Sequence, residues 1–399
     1  MGDRLKQLCL VVSFVMVFVV SACKGEDDAT TSQQILRDQV WSHIQFTESE
    51  ASYKERLSPS LLALHTSNSN VLQNKIPENY PEPYLPYGQL VDRNIDPGLA
   101  YQPFLSQELI ELGERLFFDP VLSFSPSPDR DGTVSCSSCH AMDKAFSDDR
   151  SLSVGIEGDK TRHNSPSLIN VGYQSNLTWS PLFLPILEKQ AEIPLFGDDP
   201  IEMGLRGKEL VLQERLRDSA EDYDSLFSAA FPQQELLWLD APLFNYDAIT
   251  LALGAYQRSL IQFDSPFDQW LVGDDGALTE TQRMGLELFF GFRQLESGVS
   301  MNCSDCHAGF MLSDSFQYVR GDEFYWNQEF YISDLSGPDG FKAPSLRQIS
   351  LTAPYGAFGN MLDLSQVIEF YASGKRHNLD GFVVDDREKQ LLESFLEAL

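Results

Sequence analysis

Two stretches of the chain repeat one another in where they place apolar residues. In LSQELIELGERLFFD (residues 105–119), Leu105, Leu109, Leu112 and Leu116 recur at the spacing of one helix face, behind Ser106 as a potential cap. In LTETQRMGLELFFGF (residues 278–292) the same phrase returns. A glycine is followed by Leu-Phe-Phe in both, as Gly113 with Leu116, Phe117 and Phe118, then Gly285 with Leu288, Phe289 and Phe290. Each stretch precedes a Cys-x-x-Cys-His-Ala and then a Ser-Asp pair, Ser147 with Asp148 and Ser313 with Asp314. Further on, SPSL at 165–168 answers APSL at 343–346.

Self-similarity of this length predicts an internal duplication. The expected fold is mainly α with little β, built from two small helical domains that each bind one cofactor. The first is expected over 96–274 and the second over 275–399, meeting near the glycines of VGDDGAL. A closing helix is predicted by Leu391, Leu392, Phe395, Leu396 and Leu399 on one face. Residues 24–95 read as an extension whose proline-rich stretch PENYPEPYLPYG runs over the surface.

The chain begins with a basic start (Arg4, Lys6), an apolar run from Leu8 to Val20, and VSAC ending at Cys23. The run is too short for a favoured membrane span and predicts a leader over 1–23. Small residues before a cysteine resemble a bacterial lipoprotein signal, so Cys23 is expected to be acylated and the protein to be periplasmic and membrane-anchored. A net charge of −30 excludes nucleic acid as a natural partner.

Of six cysteines, two fall in the leader region and the other four form CSSCH (136–140) and CSDCH (303–307). Three chemistries compete: disulfides, one zinc site shared by four thiolates, or two c-type haems. Zinc would use Cys136, Cys139, Cys303 and Cys306 and leave two adjacent histidines unexplained. Haem uses all six residues, two thiols for each pair of vinyl groups and His140 or His307 beneath each iron. Export agrees with haem, since c-type attachment takes place outside the bacterial cytoplasm.

The order of these motifs over about 105–399 resembles the di-haem cytochrome c peroxidase and MauG family, which implies that the two helical domains are cytochrome c-like. Between the halves, EKQAEIPLFGDDPIEMG carries Gln190, Pro194, Pro200 and Glu202 in the family's order, with two extra residues before Glu202. This longer form, with Trp179 closing LTW, resembles the branch typified by MbnH, which modifies the copper-binding partner MbnP. The resemblance implies that Glu202, assisted by Gln190, manages protons over the first haem, and that Trp179 lies between the haems as an electron relay. It implies Tyr371, counted from Pro354, as sixth ligand of the second iron, with Met361 as rival. Tyrosinate favours oxidised iron, whereas methionine raises the potential. It further implies calcium held by Asn164, Thr352 and Pro354, oxygen donors of the kind that cation prefers. One departure stands out: PYGAFG puts Ala357 where the family often has histidine, and His163 is either a resting-state ligand or a surface residue.

The expected function is therefore an exported enzyme that uses hydrogen peroxide to oxidise a protein, converting tryptophan to kynurenine in a periplasmic copper-binding partner. Trp238, Trp270 and Trp326 are hopping candidates that core packing explains equally well. Two alternatives stand beside this. One is peroxide reduction to water with electrons from a small cytochrome or cupredoxin. The other is a non-catalytic electron carrier.

Overall fold

A computed structural model describes residues 27–44, 105–179, 186–219, 221–232, 244–320, 340–374 and 381–399, with Leu184, pieces between 71 and 83, and strand residues 323–328 and 331–332. The leader with Cys23, most of the proline-rich stretch and Trp238 lie outside the described residues. Ten helices of six or more residues are described. They are α1 (Asp27–Ile44), α2 (Gln107–Phe118), α3 (Leu187–Phe196), α4 (Glu209–Asp218), α5 (Tyr223–Ala230), α6 (Tyr246–Arg258), α7 (Pro266–Leu271), α8 (Glu280–Phe289), α9 (Leu364–Ala372) and α10 (Asp386–Leu396). The β content is small, as expected. Strands β1 (Glu82–Pro83), β2 (Ser315–Arg320) and β3 (Glu323–Gln328) form one antiparallel sheet, and β4 (Tyr331–Ile332) pairs with β5 (Gly340–Phe341).

The predicted helices form for the reasons their sequences give. Ser106 Oγ accepts the Leu109 N–H at the start of α2, and Thr279 does the same for Gln282 at α8, where Gln282 reaches back to complete a capping box. Leu109, Leu112 and Leu116 on α2 are fully buried, as is Leu286 on α8. Each of these helices is crossed closely by a partner, α2 by α6 and α8 by α10. The crossings are the same in both halves. A Cβ on Gly113 would lie 1.9 Å from the Ala252 carbonyl oxygen and 2.9 Å from Tyr256 Cβ. A Cβ on Gly285 would lie 1.9 Å from the Leu391 carbonyl oxygen and 2.9 Å from Phe395 Cβ. The glycines are thus the points at which two backbones touch, and the duplication seen in the motifs extends to the packing.

Apolar residues gather in two principal clusters. One draws its members almost entirely from Leu105 to Tyr256. The other runs from Phe267 to Leu399 and takes in Val40 and Ile44. Phe267, Trp270 and Leu271 of α7, ahead of the glycine-rich segment, already belong to the second. A small group, Tyr80, Tyr173, Phe263, Phe310 and Met311, lies at the seam. There Arg347 Nη1 meets Asp268 at 2.5 Å, Tyr80 donates to the same carboxylate, and the Tyr80 ring stacks on Phe263 at 4.4 Å.

Helix α1 was not foreseen, although Leu36, Val40 and Ile44 are four residues apart. It lies on the second cluster, where Arg37 Nε donates to the Trp270 carbonyl at 2.8 Å and Trp41 Nε1 to Leu271 at 3.2 Å. His43 packs edge-on against Phe290 at 5.9 Å. This breaks the symmetry of the duplicated Phe-Phe pair: Phe290 is 3 % exposed, while its counterpart Phe118 is 36 % exposed. Trp270, one of the three hopping candidates, is fully buried beneath α1, and its indole donates to Gln33 at 3.2 Å. Trp326 stands on β3, and its side chain lies outside what is described.

Replacing Gly285 with alanine tests the crossing. Alanine favours a helix by up to about 1 kcal/mol over glycine, but overpacking against a main-chain oxygen costs about 1–3 kcal/mol. Denaturant unfolding of Gly285→Ala is expected to show net destabilisation, whereas alanine at exposed Gly276, whose ideal Cβ comes no nearer than 3.4 Å to a neighbour, leaves stability within error.

Candidate haem site

Both Cys-x-x-Cys-His motifs fold as a single tight turn. Cys136–Ser138 and Cys303–Asp305 are short 3-10 helices, and each histidine N–H returns to the first cysteine carbonyl, His140 to Cys136 at 3.0 Å and His307 to Cys303 at 2.9 Å. The backbone then enters the left-handed region at non-glycine residues, Ala145 (φ 50°), Phe146 (φ 56°) and Leu312 (φ 49°). Such positions cost about 1–3 kcal/mol each and survive where the surroundings impose them. Here they turn carbonyls back onto the histidines. His140 Nδ1 donates to the Phe146 carbonyl at 2.8 Å, and His307 Nδ1 shares its hydrogen between Leu312 and Pro344, each at 3.2 Å. A carbonyl can only accept, so in each ring Nδ1 carries the proton and Nε2 presents its lone pair.

The matching SPSL and APSL segments brace the same loops. Ser147 Oγ donates to the Ser165 carbonyl at 2.6 Å and Ser313 Oγ to Ala343 at 2.8 Å. Ser167 and Ser345 then donate to Ala145 and Met311 at 2.6 and 2.8 Å. The repetition was visible in sequence, but its role as a brace was not.

His140, Cys139, His307, Cys303 and Cys306 open onto one cavity of about 970 Å³, and Cys136 lines a smaller one of about 60 Å³ beside it. Gln190 and Glu202 line both, which sets them with Cys136, Cys139 and His140 around the first motif. Glu202 is held by its main chain: the Ile156 N–H donates to its carbonyl at 2.8 Å, and the next residue, Met203, donates to Pro194 of α3 at 3.0 Å. Burial raises the Glu202 carboxyl above its ordinary range. Helix α3, which carries Gln190, is fixed by the buried pair Glu188–Arg258, bonded at 2.8 Å through Nη2.

On the far side, Tyr371 of α9 points its hydroxyl at His307 Nε2 across 3.5 Å. Met361 also lines the cavity, with its methyl end packed toward Gly356, whose added Cβ would lie 2.9 Å from Met361 Cε. On the wall of the large cavity, the half-buried Trp179 donates its indole N–H to the Asn164 carbonyl at 2.7 Å and packs edge-on against Phe341 at 6.4 Å. Asn164 gives its amide hydrogens to Arg150 at 3.0 Å and Ser151 at 3.4 Å, which leaves its side-chain oxygen as the group able to meet a cation. Thr352 and Pro354 line the same cavity, the Thr352 hydroxyl donating to Ile349 at 3.1 Å. Asn164 also receives Ala357 in place of the expected histidine, its N–H donating to the Ala357 carbonyl at 2.9 Å. His163 is half-buried between Phe341 and Phe358, at 5.7 and 5.5 Å, rather than on the surface.

All four motif cysteines are free thiols, so no disulfide joins them. Among the described residues, no three His, Cys, Asp or Glu side chains gather to hold a metal, which removes the shared zinc site. Two thiol pairs and two Nε2 lone pairs, set around one large apolar cavity and the small one beside it, fit two haems.

The comparisons agree. The profile of the family described as di-haem cytochrome c peroxidase matches residues 107–276. The methylamine utilization protein MauG of Methylorubrum extorquens is 30% identical over 305 residues, covering 74% of this chain and 79% of that protein. This chain belongs to the di-haem cytochrome c peroxidase and MauG family. The cytochrome c551 peroxidase of Pseudomonas aeruginosa is 31% identical, covering 68% of this chain and 73% of its own. The crystal structure of a MauG-like protein associated with microbial copper homeostasis superposes with a TM-score of 0.66 at 32% identity, covering 81% of this chain and 94% of that one. As a di-haem family member, the protein is a haem-dependent oxidoreductase with two c-type haems.

Replacing Cys303 and Cys306 together with alanine is expected to lower the intact mass by one haem and to halve the covalently bound haem absorbance. Retention of both haems by that variant would contradict the assignment.

Proposed function

We propose that this family member uses hydrogen peroxide to oxidise another protein, and that its substrate is a tryptophan of a small copper-binding partner, which becomes kynurenine. The observation that carries the peroxide-driven oxidase reading is the Tyr371 hydroxyl facing His307 Nε2 across 3.5 Å in the cavity wall. A phenolate ligand stabilises oxidised iron, so an enzyme so equipped needs no reduction before it meets peroxide. The partner is supported by the likeness to the MauG-like protein associated with copper homeostasis.

When bound, the haem irons supply the two-electron reduction of peroxide. The chain's residues handle the rest. Glu202 takes a proton from one peroxide oxygen and returns it to the other, which leaves as water, and its raised carboxyl suits that exchange. Gln190, on the same wall, offers an amide to orient the peroxide. Trp179 gives up an electron between the two sites, its indole held by Asn164 so that the ring stays fixed. A folded substrate cannot enter the cavity, so its oxidation proceeds by electron transfer through the protein. Asn164, Thr352 and Pro354 would hold calcium beside Trp179, and removing the ion would loosen the indole's acceptor.

We also place the enzyme in the periplasm, anchored through an acylated Cys23. No helix among the described residues is long and apolar enough to cross a membrane. The domain limits near 95 and 274 belong to the same proposal.

The kinship with cytochrome c551 peroxidase and the presence of Met361 in the cavity favour a second reading, reduction of peroxide to water with electrons from a small carrier. The two separate cleanly when the fully oxidised protein is titrated with peroxide and followed by visible and EPR spectroscopy. A long-lived oxidised state read at both haems, followed by kynurenine in the partner's mass spectrum, is expected. A requirement for prior reduction of one haem would overturn the proposal in favour of the peroxidase.

Glu202→Gln is expected to slow the reaction with peroxide by about a hundredfold or more. In the native protein the acting form is the carboxylate, and burial raises its pKa. The rate therefore falls as pH drops through a midpoint above the ordinary carboxyl value of 4.5. Stopped-flow rates across pH should show that fall and its disappearance in Glu202→Gln.

A further inference from the structure

Each c-type haem carries two propionates, so two haems bring four carboxylates into a protein whose net charge is already −30. Among the described residues, the lysine and arginine side chains lining the large cavity are Arg162, Lys342 and Arg347. Arg162 is exposed and pairs with Asp199 at 2.7 Å. Arg347 is committed to Asp268 at 2.5 Å and to the Phe310 carbonyl at 3.0 and 2.6 Å.

Lys342 differs. It is 5 % exposed, and its ammonium donates to the Asn176 carbonyl at 2.7 Å and to Gln174 Oε1 at 3.4 Å, both neutral. An ammonium has three hydrogens, and neither of these neutral acceptors offsets its buried charge, which only the field of Asp314 opposes. Burial pushes this lysine down to about 8, against the opposing field of Asp314, whose Oδ1 is engaged by the Ala343 N–H at 2.9 Å. Its position is also particular. Its own N–H reaches the Trp179 carbonyl at 3.4 Å, and two residues on, Pro344 accepts from His307. Lys342 thus joins the loop of Trp179 to the support of the second histidine.

We propose that Lys342 is the positive charge that receives a haem propionate at the seam of the two halves, and that this charge holds up the reduction potential of that haem. Reduction adds an electron to the site, and a cation in a low-dielectric interior favours the added charge. Loss of the lysine proton removes that help, so the potential falls as pH rises through the lysine's titration. A propionate beside the ammonium moves that titration above 8. The other groups facing Lys342 do not produce the same signature. Gln174 and Asn176 are neutral, Arg347 stays charged, Asp314 is a carboxylate, and His163, across Phe341, is held below its usual range by burial.

The proposal rests on the two haems alone and not on any partner, so its test uses neither peroxide nor a protein substrate. Potentiometric titration of the holoprotein, read at both haems between about pH 6 and about pH 10, compares the wild type with Lys342→Met and Lys342→Arg. The wild type should show one potential that falls above pH 8. Lys342→Met should begin lower at neutral pH and lose the fall. Lys342→Arg should keep the neutral-pH potential and lose the fall as well, because arginine does not titrate there. The proposal is overturned if Lys342→Met keeps the wild-type potential and pH dependence, or if both variants displace the potential equally, which is what a merely structural role predicts. Should Lys342→Met fail to retain its haems, Lys342→Arg still decides, since persistence of the fall in that variant excludes the lysine as its source.

Discussion

The hydrogen bond from an imidazole Nδ1–H to a main-chain carbonyl, made by His140 to Phe146 and by His307 to Leu312 and Pro344, is the contact on which the rest of this structure depends. It fixes which nitrogen carries the proton, and so which nitrogen faces the cavity. The carbonyls reach their histidines only because Phe146 and Leu312 accept a backbone conformation that side chains resist. The serine braces, the crossings at Gly113 and Gly285 and the two apolar clusters can be understood as the surroundings that hold that conformation in place.

Much of this was legible in the chain. A helix face announces itself by spacing, so α2 and α10 were predictable from Leu109 and Phe395 and their neighbours, and α8 from the likeness of its Gly285 and Leu288 to Gly113 and Leu116. The thiol and imidazole pairs were legible because haem attachment demands residues close together in sequence. What stayed hidden depends on contacts between distant segments. Nothing local in GFKAPSL shows that Lys342 will reach Asn176, some 166 positions away, or that Arg258 will be buried against Glu188. Helix α1 was hidden for another reason: its apolar residues are few, and its stability comes from the second cluster on which it lies.

The roles given to Glu202, Gln190, Trp179 and Tyr371 came from resemblance rather than spacing. The structure adds that all four border one cavity with both histidines. It also shows how asymmetric function can grow from duplicated halves. The braces and crossings repeat almost distance for distance, while Glu202 and Gln190 line the wall beside His140 and Tyr371 faces His307. The two repeated motifs are equivalent mounts, with a buried carboxyl group beside one and a phenol opposite the other.

The thiols carry a consequence for the order in which the protein is made. In the closed fold burial pushes the Cys136 and Cys303 thiols up to about 12, from an ordinary 9.0. Thiolate, the form of cysteine that reacts readily, is then scarce at neutral pH. Carbon–sulfur bonds to a porphyrin vinyl group therefore form most readily on an open chain, before α2 and α8 close over the turns. Maturation of this protein is then a sequence in time, with covalent attachment first and the final collapse of the two cores around a pigment already in hand.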